Sequence, residues 1–153
     1  MILIRPSTPQ DLPALFVIWK EAVSATHSFL TESDIAFYAE QVRDSYLPSQ
    51  SFWVAVDSEG HPTGFMGMTG PKIDALFVHP SNHGQGIGRA LVDHAASLEA
   101  GLLVDVNEQN EGACSFYGKL GFRQIGRSDL DDSGKPFPIL KLERLAPANE
   151  KGR

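Results

Sequence analysis

Cysteine is nearly missing from this chain. Cys114 stands alone among 153 residues, which rules out an internal disulfide and any cysteine-based metal site. It lies inside a helical pattern with no neighbour that would activate a thiol, so packing or idle exposure is its expected state. Basic residues are scarce as well: 13 Lys and Arg face 19 Asp and Glu, a formal charge of -6. Nucleic-acid binding depends on clustered Lys and Arg that neutralise phosphates, so DNA and RNA are excluded as main partners. Long apolar runs are absent too. None approaches the ~20 residues of a membrane-spanning helix, and the first six residues lack a charged leader with a cleavage site. A cytoplasmic protein with no membrane partner is expected.

Metal-binding patterns are also wanting. Asp129, Asp131 and Asp132 form an acidic cluster, but Ser133-Gly134-Lys135-Pro136 follows where a calcium loop would continue toward a distant Glu. Asp, Ser and Gly commonly build turns, and a solvated turn with no metal is the expectation. Apolar residues make up 42% of the chain, enough to bury a core, and one domain is the natural reading of this length.

The apolar pattern then alternates between two periods. Residues 2–5 read as a strand, and Thr8 can cap a helix with Leu12, Leu15, Phe16, Trp19 and Val23 on one stripe. Thr31 opens a second helix through Ile35, Tyr38, Ala39 and Val42 to Tyr46, where Pro48 is expected to stop it. Residues 52–56 and 63–68 read as a hairpin around Asp57-Ser58-Glu59-Gly60. Residues 72–78 form the next strand. A helix follows with Ile87, Leu91, Ala95 and Leu98 on one face, then a strand over 102–106, a helix over 109–120 and two closing strands over 122–128 and 138–145. The polar residues 146–153 are expected to form a flexible C-terminal tail.

Between the strand 72–78 and the following helix stands His83-Gly84-Gln85-Gly86-Ile87-Gly88-Arg89. A strand running through a glycine-rich turn into a helix gathers backbone N–H groups and the positive helix end around an anion. Two owners of such turns are excluded. A P-loop needs Lys-Ser/Thr after its last glycine, and Arg89-Ala90 follow here. A dinucleotide fingerprint needs a third glycine, but Arg89 or Leu91 occupies that place. Glycine allows positive φ and close backbone approach, so residues 84–89 are suited to a phosphate group, with Arg89 adding a charge-assisted contact.

Gly86 and Gly88 match the pattern Gln/Arg-x-x-Gly-x-Gly/Ala, and the turn resembles the pyrophosphate loop of the GNAT acyl-coenzyme A N-acetyltransferases. His83 departs from the Gln or Arg of that pattern, although an imidazole can still donate to a phosphate oxygen. A second segment, from Asn110 through Ala113, Phe116, Tyr117 and Leu120 to Gly121-Phe122, resembles the family's Asn-x-x-Ala-x-x-Phe-Tyr-x-x-x-Gly-Phe. Flanking phrases such as Ala25-Thr26-His27 and Asn107-Glu108-Gln109-Asn110 are similar to those of one bacterial subgroup. The order of elements is similar to the family's as well, so the resemblance spans the whole chain.

The resemblance implies an α+β fold in a single GNAT domain over residues 1–145: a mixed, mostly antiparallel sheet, splayed between its fourth and fifth strands and flanked by about four helices. It implies acetyl-CoA as cosubstrate, held by the backbone of Leu76, Phe77 and Val78 along the pantetheine arm and by His83, Gly84, Gln85, Gly86, Ile87, Gly88 and Arg89 at the diphosphate. A backbone N–H near Phe77 or Val78 would meet the oxyanion. Tyr117 would protonate or hold the departing thiolate, and Asn110 would bond the pantetheine arm or orient Tyr117, besides capping its helix. Periodicity alone would send Tyr117 to the core. The acceptor is an amine, either a small molecule or a protein lysine, attacking directly in a ternary complex. His27, Asp74, Asn107 and Glu108 remain open as the proton acceptor or the cleft wall. Many relatives form homodimers, although no segment marks an interface. A non-catalytic acyl-CoA sensor or interaction module is the other reading; the presence of Tyr117 with Asn110 counts against it.

Overall fold

The computed structural model describes residues 2–146. Of the flexible tail expected over 146–153, residues 147–153 lie outside the described residues. Seven strands appear in chain order as β1 (Leu3–Pro6), β2 (Trp53–Val56), β3 (Pro62–Thr69), β4 (Lys72–Val78), β5 (Leu102–Asn107), β6 (Arg123–Ser128) and β7 (Ile139–Arg144). The helices are α1 (Leu12–Thr26), α2 (Glu32–Gln41), the single turn α3 (Leu47–Ser49), α4 (Ile87–Leu98) and α5 (Glu111–Lys119). Strand order is β1-β2-β3-β4-β5-β7-β6. Pairs β1–β2, β2–β3, β5–β7 and β6–β7 are antiparallel and β4–β5 is parallel, the mixed, mostly antiparallel sheet that the resemblance implied.

Two compact units share β4. The first takes in residues up to Met68 together with Ala75–Val92, and the second Thr69–Asp74 with the chain from Asp93 onward. In the first, β1 pairs with β2 from Leu3↔Val56 to Pro6↔Trp53, and β2 with β3. Leu15, Ile18, Trp19 and Val23 of α1 pack with Phe52, Val54, Val56, Phe65 and Ala75 in its core. In the second, Leu102, Val104 and Val106 of β5 are buried alternately, the period expected of a strand with one face on the core. The β4–β5 register comprises Lys72↔Leu103 and Ile73↔Val104, although β4 runs on to Val78 and β5 to Asn107.

The helical stretch after Thr31 does not stop at Tyr46. Val42–Tyr46 widen into a π turn, Leu47 N–H bonding the Val42 carbonyl, and α3 carries Pro48 one turn further. Proline lacks an N–H and crowds the carbonyl four residues back, so a wider turn before it relieves both conflicts. The stripe on α4 also differs at one end. Ile87, Leu91 and Ala95 are buried as expected, but Leu98 is exposed and Val92 is buried instead.

Candidate active site

The end of β4, from Ala75 onward, and the start of α4 lie in the first unit. Leu76, Phe77 and Val78 end β4 half-buried, with Phe77 packed on Phe65 at 5.7 Å between ring centroids. Gly64 on β3 is what lets this end sit where it does. A Cβ there would lie 3.0 Å from the Phe77 carbonyl oxygen, 3.1 Å from Ile87 and 3.3 Å from Val78. The sequence reading passes over Gly64, yet a lone glycine inside an apolar strand is itself a signal of close backbone approach.

The turn before α4 needs its glycines. Gly84 and Gly86 have φ of +79° and +81°, the left-handed region that other residues enter only under strain. Ala90 N–H bonds the Gly86 carbonyl at 3.0 Å, so the N–H groups of Ile87, Gly88 and Arg89 precede the first helical bond. Gly86 has no side chain to cap them. His83 is exposed, and its Nε2 lies 3.1 Å from the Val78 carbonyl oxygen. A carbonyl only accepts, so Nε2 carries the proton and ties the turn to the end of β4. Gln85 accepts from Asn82 Nδ2 at 3.3 Å.

In the same unit His27 follows the last residue of α1. Its Nδ1 lies 2.8 Å from Thr26 Oγ1, its ring 5.3 Å from that of Phe29. Burial lowers its pKa from the ordinary value to about 4, so the ring is neutral at physiological pH.

The second unit holds the other candidates. Asn110 caps α5: its Oδ1 accepts the Ala113 N–H at 3.1 Å. Tyr117 is buried, edge-on to Phe116 at 5.0 Å and to Phe122 at 5.2 Å, and burial drives its pKa well above the ordinary tyrosine value. It therefore remains a phenol, able to donate a hydrogen bond, throughout the physiological range. Asp74 is exposed and accepts the Thr69 hydroxyl. Glu108 is tied up elsewhere, since Arg127 grips its Oε1 through Nε at 3.0 Å and through a terminal nitrogen at 2.8 Å. Burial, aided by Glu108, raises the Cys114 pKa and so disfavours the thiolate.

The acidic cluster near residue 131 is a turn. Asp131 accepts the N–H groups of Ser133 and Lys135, each at 2.9 Å, while Asp129 pairs with Arg127. Among the described residues, Asp57, Glu59 and His61 bring three candidate ligand atoms within 4.8 Å of one another. All three are exposed on the β2–β3 turn, where the Asp57 carboxylate already accepts the N–H groups of Glu59 and His61 at 2.9 Å each.

Solved structures share this architecture. The solution structure of apo-form YjaB from Escherichia coli superposes with a TM-score of 0.90 at 44% identity, covering 96% of this chain and 99% of that one. The PaiA N-acetyltransferase of Thermoplasma acidophilum, solved in complex with coenzyme A, gives 0.76 at 20% identity over 95% and 99% of the two chains, a likeness of fold alone. Among curated proteins, the peptidyl-lysine N-acetyltransferase YjaB of Salmonella typhimurium LT2 is 49% identical, covering 93% of this chain and 97% of its own. Its counterpart from Escherichia coli K12 is 46% identical over 93% and 96%. These likenesses define an N-acetyltransferase, an enzyme that moves an acetyl group from acetyl-coenzyme A to an amine. Residues 48–124 match the acetyltransferase (GNAT) domain, and the chain belongs to the GNAT family.

Proposed function

We propose that residues 1–145 act as one acetyltransferase domain that acetylates lysine side chains of proteins in the cytoplasm. The names of the two YjaB relatives support the acceptor. A net charge of -6 supports a cationic peptide over a nucleic acid. No helix among the described residues is long and apolar enough to cross a membrane.

The observation that carries the mechanism is the glycine-capped start of α4. Its N–H groups at Ile87, Gly88 and Arg89 supply donors for the coenzyme A diphosphate, with the Arg89 guanidinium, His83 and Gln85 beside them. The backbone of Leu76, Phe77 and Val78 pairs with the pantetheine arm, and an N–H near Phe77 or Val78 receives the carbonyl oxygen as it gains charge. Asn110 gives its Nδ2 to the arm while its Oδ1 serves the helix. The amine attacks the thioester directly and loses its proton to His27 or Asp74. The sulfur leaves as a thiolate. Tyr117, with its pKa held above the ordinary value, meets that thiolate as a hydrogen-bond donor.

Thiol release from acetyl-CoA in the presence of a peptide with one free lysine tests this directly. In Tyr117→Phe, kcat should fall about a hundredfold, within the range for general acids, while calorimetric affinity for coenzyme A stays within about twofold. Unchanged turnover would remove Tyr117 from the mechanism. Failure of the wild-type protein to bind coenzyme A would remove the whole assignment of the turn.

A further inference from the structure

We propose that Thr26 is a positioning residue for acetyl transfer: its hydroxyl holds the His27 imidazole in the Nδ1–H form and leaves the Nε2 lone pair to accept the proton that the attacking amine sheds. The inference deepens the acetyl-transfer reading above and rests on it.

Counting protons at the end of α1 gives this result. Thr26 Oγ1 lies 2.8 Å from the Ala22 carbonyl oxygen and 2.8 Å from His27 Nδ1. A carbonyl oxygen can only accept, so the single hydroxyl proton lies on the first contact. The second contact then needs a proton from the imidazole. The opposite tautomer would press two lone pairs together at hydrogen-bond distance. Neutral imidazole has one N–H, so Nε2 is bare.

The ring is held from several sides. His27 N–H bonds the Val23 carbonyl at 2.9 Å, its own carbonyl receives Leu30 N–H at 3.0 Å, and Phe29 lies against the ring. The chain from Nδ1–H through the Thr26 hydroxyl to the Ala22 carbonyl ends at the C-terminal, electronegative end of α1. Such an end favours a cation, and hydrogen bonds in series strengthen one another, so an imidazolium formed at His27 is stabilised through Thr26. This is the arrangement of an oriented general base, with one nitrogen anchored and the other offered.

The order of events follows from the pKa. At about 4, His27 does not take a proton from a free lysine ammonium at about 10.4. It can take one after the neutral amine has bonded to the carbonyl carbon, because the nitrogen then bears a positive charge beside an alkoxide and is far more acidic. In that step the nitrogen lone pair forms the N–C bond and the C=O π pair moves to oxygen. One N–H proton then passes to His27 Nε2. Collapse of the alkoxide breaks the C–S bond and the pair leaves on sulfur, where the Tyr117 hydroxyl donates a hydrogen bond to the thiolate. His27 then loses its proton to solvent and the thiolate gains one from it, which leaves an amide, a thiol and an unchanged enzyme.

The test is long-range nitrogen NMR of the His27 ring at neutral pH, with steady-state turnover of acetyl-CoA and a single-lysine peptide, on wild type, Thr26→Val, Thr26→Ser and His27→Ala. The wild-type ring should show the proton on Nδ1. Thr26→Val should shift the tautomer toward Nε2–H and lower kcat about tenfold with KM for acetyl-CoA unchanged. Thr26→Ser should restore both to within about twofold, and His27→Ala should lose about a hundredfold, as expected for a general base. A proton on Nε2 in wild type, or full turnover in Thr26→Val or His27→Ala, overturns the proposal. A wild-type protein that binds no acetyl-CoA and acetylates no amine overturns the transfer reading, and Thr26's catalytic part with it, whatever the tautomer.

Discussion

Helices α4 and α5 both begin with N–H groups that their own first turn cannot satisfy. At α5 the side chain of Asn110 turns back onto Ala113 N–H at 3.1 Å, whereas Gly86 before α4 has no side chain to turn. The start of α2 resembles that of α5, for Thr31 accepts from Asp34 N–H at 3.1 Å, whereas Asp11 ahead of α1 turns its carboxylate back to Thr8 N–H at 2.8 Å. Side-chain caps make a helix end self-sufficient. A glycine in the left-handed region leaves the donors for another molecule. The proposed chemistry follows the same contrast: it assigns backbone groups to Leu76–Arg89 and side chains to the segment from Asn110 to Tyr117.

The largest test of this contrast is Gly86→Ala with Gly60→Ala as control. Both glycines have positive φ, +81° and +85°, and a Cβ at either meets nothing within 4 Å. Each variant should therefore lose stability alike, roughly 1–2 kcal/mol, from backbone strain alone. Only Gly86→Ala should lose coenzyme A affinity, by tenfold or more, as the turn relaxes and re-aims its donors. Calorimetric titration of both variants reads the difference. Equal affinities would mean that the glycine-capped end is as structural as the others.

A capped end should answer to pH, and the turn preceding α1 provides the instance. Arg5 grips both oxygens of Asp11 at 2.8 and 3.0 Å and, with the Thr8 N–H, holds the carboxyl at a pKa of about 2. The folded value lies below the unfolded one. Its contribution is therefore complete above about pH 4 and disappears as pH falls through about 2. Allowing for the partial exposure of Arg5, Asp11→Asn should cost about 1–2 kcal/mol in urea denaturation at neutral pH. That gap should close toward pH 2; a gap that persists there would assign the loss to packing.

Much of this was legible from residue spacing. Strand β4 runs from Lys72 to Val78 as its apolar run does, and the glycines of the turn and the Asn110–Tyr117 segment announced the family. What spacing could not reach was pairing made only after folding. Glu108 meets Arg127 19 residues away, Gly64 matters because β3, β4 and α4 converge on it, and Thr26 acts through one proton. Leu98 continues the stripe of α4 by periodicity and is nevertheless exposed, since a period marks a face and not where the covering surface ends.

The smallest expected effect separates the two duties of Asn110. Its Oδ1 caps α5, and its Nδ2 is the group assigned to the pantetheine arm. Asn110→Ala removes both and should cost about 1 kcal/mol of stability along with cofactor affinity. Asn110→Asp keeps an acceptor for Ala113 N–H and replaces the amide donor with a second oxygen. Stability should then return to within a few tenths of a kcal/mol, because Asp caps about as well as Asn, while coenzyme A affinity stays several-fold weaker. If affinity returns along with stability, Asn110 belongs wholly with the self-sufficient helix starts, and the second segment acts on the cofactor through Tyr117 alone.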